Sequence, residues 1–507
     1  MLKVNLFLSI ILFPLLVLGQ HLDPIGAFCR ERGHEMFREY FRFLAIPNYA
    51  RDQENILRNA RFIQDMLTRR GIKNRLLSAK SGDTPPAVYG EVLVPGASRT
   101  LLFYAHYDGQ PVDPVRWHPN LKPFEPIFLS APIDKGGKIL PFPAADQPIN
   151  PEWRISGRSS SDDKAGVLAI IQAYDALIST GQKPTCSLRF LFEGEEEIGS
   201  LHLGEILEGH KDLLAGDLWI VADGPVHSTG LPQVGFGVRG DVNMEVTVFG
   251  PKRPLHSGHY GNWAPNPAET LVRLLASMKD QTGRVLVKGY YDGIIPFSAS
   301  EKRAFGELPE QDARLQRELG IPVPESVGTS LSDSYQYPSL NINGIRSAET
   351  GERASNVIPS EATVSLDLRQ VPGIDYLRQI QRVKDHIAEQ GFYLLDRAPT
   401  DEERMAHPRI ARVTANKGGY NAQRTPLDLP IAQELMAAVQ GASDSRVLAI
   451  PTSGGSLPLF LFEKYLGAKV ISLGIANHDN NQHAENENAR VQNIWDSIRQ
   501  LAAIMRM

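Results

Sequence analysis

Apolar runs that end in acidic residues and histidines recur along the first half of the chain. The run SRTLLFYAHYD ends with His106 and Asp108, and the run LWIVAD ends at Asp223. Between them lie residues 165–180, with apolar side chains at helical spacing, and a further apolar run at residues 186–192. Short apolar runs with polar ends predict buried strands. Their alternation with helices predicts an α/β sheet with a ligand crevice at the carboxyl ends of its strands.

The hydrophobic pattern changes at Asp241. The segment DVNMEVTVFG alternates polar and apolar residues, as does EATVSLDLR at residues 361–369, and both are typical of strands with one solvated face. Between them, Asn266 and Pro267 provide a cap and a first-turn proline for a helix. This block predicts an inserted α+β domain over residues 241–369. It would divide a discontinuous first domain into parts at 20–240 and 370–507.

Two other segments have distinctive compositions. Residues 110–158 are rich in proline and glycine and predict a long irregular excursion. Residues 1–19 contain one lysine, a short apolar run and small residues before Gln20, which is typical of a signal peptide. We therefore expect cleavage before Gln20 and export to the periplasm or the exterior. The alternative is an uncleaved anchor, but the apolar run is short for a membrane span, so we expect no stable anchor.

Charge and cysteine content exclude several classes of protein. The 507 residues include 53 Lys and Arg against 58 Asp and Glu, for a net charge of −5. Because no long run of one sign stands out, we expect no nucleic-acid partner. The two cysteines, Cys29 and Cys186, exclude a disulfide framework, and Cys186 is expected to pack as a small apolar residue.

Side chains of the kinds that bind metal ions stand at the ends of several predicted strands and in one late loop. No cysteine is among them, and imidazoles with carboxylates suit Zn²⁺, Mn²⁺ or Co²⁺. Several carboxylates at one site indicate a pair of ions acting together. Each fragment alone is a weak signal, since an acidic run is more often a solvated face. The fragments are His106 with Asp108, Asp162 with Asp163, Glu196 with Glu197, Asp223, and His483 within HAENE.

In order and placement, these fragments resemble the motifs of the M20 metallopeptidases, which include carnosinase-like dipeptidases, glutamate carboxypeptidases and aminoacylases. The resemblance extends from about residue 36 to the C-terminus. It implies a catalytic domain with a mixed, mainly parallel sheet covered by helices, and an inserted ferredoxin-like domain that serves as lid and dimerisation surface. The matching segments are YAHYD (104–108), SGRSSSDDKAG (156–166), FEGEEEIGS (192–200), VADG (221–224), GVRG (237–240), LHSGHYG (255–261), NVIP (356–359), LDLR (366–369), GGS (454–456) and HAENE (483–487).

The resemblance also implies a ligand for each of two divalent ions. Asp162 would be the carboxylate shared by both ions. His106 and Asp223 would complete the shell of one ion, and Glu197 and His483 that of the other. Zinc is the first expectation for the metal, with manganese or cobalt as alternatives.

The acid beside a ligand is the implied general base. Glu196 would take a proton from the attacking water, with Glu195 as the alternative base. Asp108 would orient the imidazole of His106, and the competing interpretation is an aspartate that caps a turn.

Four further residues are implied to bind substrate or stabilise the reaction. His256 would reach the active site of a partner subunit and polarise the scissile carbonyl; a surface-loop role, or replacement by His259, is the alternative. Arg369 and Ser456 would bind the free carboxylate of the substrate, unless Arg369 only forms an ion pair at its strand end. Asn356 would contact the substrate or the oxyanion, or else cap the backbone.

Taken together, these features predict an exported two-metal peptidase that cleaves dipeptides or short peptides with a free C-terminal carboxylate, and that forms a homodimer through the inserted domain. An alternative with the same catalytic groups is the hydrolysis of N-acyl amino acids. A third possibility is a non-catalytic scaffold, which is disfavoured because all five ligand positions and the base are filled.

Overall fold

The computed structural model describes residues 23–416 and 418–507. The predicted signal peptide at residues 1–19 and its cleavage site lie outside the described residues. Among the helices of the described part, none is long and apolar enough to cross a membrane. Cys29 and Cys186 are both buried and form no disulfide, as expected.

The chain folds into a catalytic domain made of two segments and an inserted domain between them. The helices of the first segment are α1 (Pro24–Glu31), α2 (Gly33–Leu44), α3 (Gln53–Arg69), α4 (Lys164–Ser179), α5 (Leu203–Gly209) and α6 (Lys211–Leu214). Its strands are β1 (Lys73–Leu77), β2 (Ala87–Val92), β3 (Thr100–His106), β4 (Ile127–Leu129), β5 (Ile139–Leu140), β6 (Arg154–Ser156), β7 (Ser187–Glu193), β8 (Leu218–Ala222), β9 (Gln233–Gly235) and β10 (Gly237–Val238).

The inserted domain and the second catalytic segment follow. The inserted strands are β11 (Gly240–Phe249), β12 (Leu255–His256), β13 (Ser339–Arg346), β14 (Val357–Ile358), β15 (Glu361–Gln370), β16 (Tyr393–Leu395) and β17 (Ile410–Ala415). The inserted helices are α7 (Ser257–Tyr260), α8 (Pro267–Met278), α9 (Ala299–Gly306), α10 (Asp312–Leu319), α11 (Leu331–Ser334), α12 (Tyr376–Glu389) and α13 (Asp401–Ala406). The second catalytic segment contains β18 (Gln423–Arg424), α14 (Pro430–Gly441), β19 (Leu448–Ile450), α15 (Leu459–Leu466), β20 (Val470–Leu473), β21 (Asn488–Arg490) and α16 (Val491–Ile504).

An eight-stranded mixed sheet forms the centre of the catalytic domain, as predicted. Its strand order is β1-β2-β7-β3-β8-β20-β9-β19, and the four central strands β7, β3, β8 and β20 are parallel. Neighbouring residues of β3 face opposite cores. Phe103 packs with α4 and α16, whereas Leu102 and Tyr104 pack with α5 and α15. Because helices cover both faces, the strand is a continuous apolar run rather than an alternating one.

The inserted domain is a five-stranded sheet with two helices on one face. Its order is β13-β15-β11-β17-β16, and every pairing is antiparallel except that of β16 with β17. Leu274 of α8 and Val383 of α12 belong to the same core as Val246 of β11. The chain order β11-α8-β13-β15-α12-β17 is the predicted ferredoxin-like arrangement. Only one face is covered, which explains the alternation of polar and apolar residues.

The inserted domain extends beyond its predicted end at Arg369. Strand β17 pairs along β11, with Val413 opposite Val246, so the inserted sheet runs to Ala415 and the second catalytic segment does not begin at residue 370. The prediction failed because the apolar runs at 375–390 and 410–415 have the same pattern in either domain. Strand pairing, which a single sequence does not display, decides between the two.

The excursion at residues 110–158 is also more ordered than predicted. Strands β4, β5 and β6 form a small antiparallel sheet with β21, which lies more than 300 residues later in the chain. Phe128 and Ile155 anchor this sheet in the main core. Strands of two or three residues are too short to produce a periodic signal. The pairing brings the loop before β21, which contains His483, against the catalytic domain.

Candidate metal centre and active site

The carboxyl ends of three adjacent parallel strands bring the first group of candidate ligands together. Strand β3 ends at His106, β8 is followed by Asp223, and β7 leads into the turn that contains Glu196. The Nε2 atom of His106 lies 3.8 Å from Asp223 Oδ2 and 3.9 Å from Glu196 Oε2. The predicted crevice at the carboxyl edge is therefore present.

Asp162 lies between two histidines that are far apart in the sequence. Its Oδ1 atom is 3.0 Å from Nε2 of His106, and its Oδ2 atom is 2.9 Å from Nε2 of His483. The same His483 nitrogen is 3.2 Å from Oε2 of Glu197. One carboxylate thus faces His106 with Asp223 on one side and His483 with Glu197 on the other. All five predicted ligands converge in this arrangement.

The centre concentrates negative charge where water is largely excluded. The side chains of Asp162, Glu197 and Asp223 are 8%, 4% and 5% exposed. Burial, with further repulsion from nearby carboxylates, raises the pKa of Glu196, Glu197 and Asp223. Hydrogen bonds to Asp162 and Glu197 raise the pKa of His483 to about 11. The donor set is crowded with carboxylates and short of positive charge, so it fits two divalent cations.

Asp163 is a further acid at the centre; it stands beside Asp162 among the candidate fragments, but the resemblance does not imply that it is a ligand. Ligand atoms of His106, Asp163 and Asp223 lie within 4.8 Å of one another. The Asp163 carboxylate also accepts hydrogen bonds from the backbone N–H groups of His106 (3.1 Å) and Gly166 (3.1 Å). It therefore caps α4 and fixes the end of β3, whereas Asp162 is the acid that contacts both histidines.

Asp108 holds the turn that carries the base and one ligand. Its two carboxylate oxygens accept hydrogen bonds from the N–H groups of Glu196 and Glu197, each at 3.0 Å. Its Oδ1 atom is also 3.4 Å from Nδ1 of His106. Both interpretations offered by the sequence therefore apply to Asp108. Glu195 points elsewhere and bonds to Nδ1 of His202 at 2.9 Å, which leaves Glu196 as the acid that faces the cluster.

Two glutamines that the sequence pattern does not indicate contact the ligands. Gln110 donates to Oε2 of Glu197 at 2.8 Å, and Gln482 donates to Oδ2 of Asp162 at 3.3 Å. Both stand within two residues of a predicted site residue, which is the only signal that could have indicated them.

Glu487 is a buried carboxylate that fixes the loop containing Asp162. Its Oε1 atom accepts from the N–H (2.9 Å) and Oγ (2.8 Å) of Ser161 and from the N–H of Asp162 (3.1 Å). Its Oε2 atom accepts from Nη1 of Arg158 (2.7 Å) and from the N–H of Ser159 (2.9 Å). Every one of these partners is a donor, so only an ionised carboxylate satisfies all of them.

Glu487 lies four residues after His483, so its contacts with residues 158–162 join the loop of His483 to the loop of Asp162. The His483 loop contains residues in the left-handed region, with φ of 56° at Asn481, 62° at His483 and 60° at Asn486. That conformation costs a residue with a Cβ atom about 1–2 kcal/mol. No role for Glu487 can be predicted from the sequence, because an acid in HAENE has the pattern of a solvated residue.

Arg369 and Ser456 meet, as the resemblance implies. Nη1 of Arg369 donates to Oγ of Ser456 at 2.8 Å, across the boundary between the inserted and catalytic domains. Arg369 also pairs with Asp367 at 2.9 Å, so the strand-end ion pair offered as the alternative is present as well. The guanidinium is therefore held in place before any substrate carboxylate arrives.

His256 and Asn356 lie together on the inserted domain. Both are exposed, and the N–H of Ser257 donates to the carbonyl of Asn356 at 3.0 Å. The ring of His256 lies beside that of His259, with centroids 4.6 Å apart and the ring planes tilted by 46°. Within the described part of this chain, neither His256 nor Asn356 has a hydrogen bond to the ligand cluster.

The cluster opens into a cavity of about 430 Å³. The sequence profile of peptidase family M20/M25/M40 matches residues 102–507. The chain belongs to peptidase family M20.

Individual members of the M20 family resemble the chain over most of its length. It is 26% identical to the Cys-Gly metallodipeptidase DUG1 of Candida albicans, over 96% of each chain. It is 24% identical to the human Beta-Ala-His dipeptidase, over 85% of this chain and 78% of that one. The solved structure of the M20 metallo-carboxypeptidase Sso-CP2 from Sulfolobus solfataricus superposes with a TM-score of 0.77 at 25% identity, covering 93% and 98% of the two chains. The fold predicted from the M20 motifs is confirmed.

The Glu487 contacts predict that Glu487→Gln weakens metal binding. In either orientation the amide NH₂ of a glutamine would face backbone donors, and the buried Arg158 would lose its counter-charge. We expect Zn²⁺ affinity to fall about 10–100-fold, the range typical when a group that orients ligands is lost. Competition with a chromophoric chelator measures this without reference to activity.

The matched control is Glu301→Gln. Glu301 forms a buried pair with Arg424 at 3.1 Å, with side chains only 6% and 9% exposed, outside the metal centre. Both variants should lose stability, by about 3–5 kcal/mol for a broken buried pair. Only Glu487→Gln should lose metal affinity; an equal loss in the control would contradict the assigned role.

Proposed function

We propose that the chain is a two-metal dipeptidase that cleaves dipeptides or short peptides with a free C-terminal carboxylate. The observation that carries this proposal is the position of Asp162, whose two oxygens face two histidines with separate carboxylate partners. The similar proteins named above, a Cys-Gly metallodipeptidase and a Beta-Ala-His dipeptidase, support a dipeptide substrate. Those names give no support to the alternative of N-acyl amino acid hydrolysis.

His106, Asp162 and Asp223 would hold one cation, and Asp162, Glu197 and His483 the other. Imidazole and carboxylate donors without cysteine suit zinc, with manganese or cobalt as alternatives. When bound, two such ions polarise a carbonyl and lower the pKa of water.

Glu196 is proposed as the general base. Its carboxylate faces His106 and is 13% exposed, so it is reachable from the cavity. Burial, with repulsion from Glu197 and Asp223, raises its pKa well above the ordinary range for a glutamic acid. A carboxylate with a raised pKa is a better proton acceptor, so Glu196 can take a proton from the attacking water and pass it to the leaving amine.

Groups on the inserted domain would contact the terminal carboxylate of the substrate and the developing oxyanion. Arg369, already bonded to Ser456, offers a guanidinium to the terminal carboxylate. His256 and Asn356 are exposed and, among the described residues, neither has a hydrogen bond to the ligand cluster. We therefore propose that they serve the active site of a second subunit in a homodimer, where His256 would donate a hydrogen bond to the developing oxyanion.

Glu196→Gln should abolish dipeptide hydrolysis and leave metal binding intact. The amide keeps the shape of the side chain but cannot accept a proton. We expect kcat to fall at least 10²-fold with unchanged Zn²⁺ content, measured by a dipeptidase assay and by elemental analysis of the same sample. Turnover close to that of the wild type would contradict the base assignment.

Mixing two inactive variants tests the dimer. His256→Ala supplies an intact Glu196, and Glu196→Gln supplies an intact His256. If His256 acts across the interface, a mixed dimer regains one complete site, and activity should recover to about a quarter of the wild-type level in an equimolar mixture after subunit exchange. His259→Ala is the neighbouring control and should retain activity. No recovery in a mixture shown to contain mixed dimers would contradict the cross-subunit role.

Export is proposed from the N-terminal segment alone. The expected mature chain begins at Gln20, and mass spectrometry of the protein purified from its natural source measures this. A mature chain that retains residues 1–19 would contradict the proposal.

A further inference from the structure

The cavity next to the metal centre has two chemically different regions. One contains the carboxylates of Asp162, Glu196 and Asp223. The other contains the apolar side chains of the lining, together with uncharged polar groups such as Ser228 and Gln311. Its main apolar side chains are Val226, Phe297, Phe305, Leu308, Leu315 and Ile450.

Most of the apolar wall comes from a segment of the inserted domain between α8 and β13. Phe297 and Phe305 contact each other, with ring centroids 5.9 Å apart, and the guanidinium of Arg424 lies 5.0 Å over the Phe297 ring. Leu308 and Leu315 are half-buried and line the cavity. The two phenylalanine rings pack together, and part of the apolar surface of the two leucines stays exposed.

The segment is also tied to the catalytic domain. Gln311, just before α10, accepts a hydrogen bond from the hydroxyl of Ser228. Ser228 lies in the loop that follows Asp223. Gln311 and Leu315 are four residues apart and share one face of α10. The contact places the apolar wall beside the strand end that carries a predicted ligand.

The apolar region has no charged partner to offer a substrate. Among the described residues that line the cavity, the acids are the three at the metal centre, and neither lysine nor arginine is present. Burial, together with the positive charge of Arg314, lowers the pKa of His227, which keeps that imidazole neutral near pH 7. A charged side chain entering this region would lose its water and gain no counter-charge.

We propose that this wall receives the side chain of the residue on the acyl side of the scissile bond and selects large apolar side chains there. The inference rests on the proposed dipeptidase function. Ser456, the partner of Arg369, lines the cavity, and so do Val226 and Ser228 on the loop that follows Asp223. With the carboxylate end at Arg369 and Ser456 and the scissile carbonyl at the metal ligands, the wall beside this loop is the part of the cavity left for the acyl-side residue. Leucine and phenylalanine would bury apolar area against Phe305 and Leu308, which favours their binding.

The experiment compares kcat/KM for a series of dipeptides X-Gly on the zinc-loaded protein. We expect Leu-Gly and Phe-Gly to exceed Lys-Gly and Asp-Gly at least tenfold, with Ala-Gly between them. In Leu308→Asp, Leu-Gly should lose at least fivefold and Lys-Gly should gain, because the new carboxylate supplies the missing counter-charge.

Leu319→Asp is the matched control. Leu319 lies on α10 in the same segment, is 64% exposed and does not line this cavity, so its replacement should leave the X-Gly series unchanged. Hydrolysis of Ala-Gly without any preference for Leu-Gly or Phe-Gly would contradict this inference and leave the proposed function standing. Failure to hydrolyse any dipeptide would overturn both.

Discussion

Electrostatic repulsion among carboxylates in a water-poor crevice is the constraint on which this centre depends. Two like charges a few ångströms apart repel far more strongly inside a protein than in water. Asp162, Glu197 and Asp223 are almost fully buried, and the nearby positive charge within the cluster comes from His106 and His483. Either protons or metal cations must balance the remainder. The side chains are arranged as two groups around one shared carboxylate, which favours a pair of cations.

The fold holds these carboxylates and histidines close together by fixing the backbone at each of them. Parallel strands deliver His106 and Asp223 to the same edge of the sheet, which accounts for one group of ligands. The ligands Asp162 and His483 lie in loops, which need other contacts to fix their backbone. Glu487 provides these contacts, because it lies in the loop of His483 and its carboxylate accepts a hydrogen bond from the backbone of Asp162. Backbone strain at His483 persists because these surroundings hold it in place.

The sequence predicts the strand ends well and the connections between distant segments poorly. His106 and Asp223 follow apolar runs, so their convergence can be expected from the rules of parallel sheets. The end of the inserted domain could not be predicted, because the pairing of β17 with β11 joins segments more than 150 residues apart without a local signal. The role of Glu487 could not be predicted for a similar reason, because its hydrogen-bond partners at 158–162 are far away in sequence. Only the three-dimensional contact with them shows that Glu487 is a buried acid that fixes a loop and not a solvated one. The cross-subunit role of His256 depends on a second copy of the chain and stays a prediction.

The most direct test of the shared-carboxylate centre is anomalous X-ray diffraction from crystals of the protein grown with Zn²⁺. Such a centre should give two strong peaks in the anomalous difference map, one on each side of the Asp162 carboxylate. One peak should adjoin His106 and Asp223, and the other Glu197 and His483. A single peak, or two peaks of which only one lies within coordination distance of Asp162, would contradict the shared-carboxylate centre.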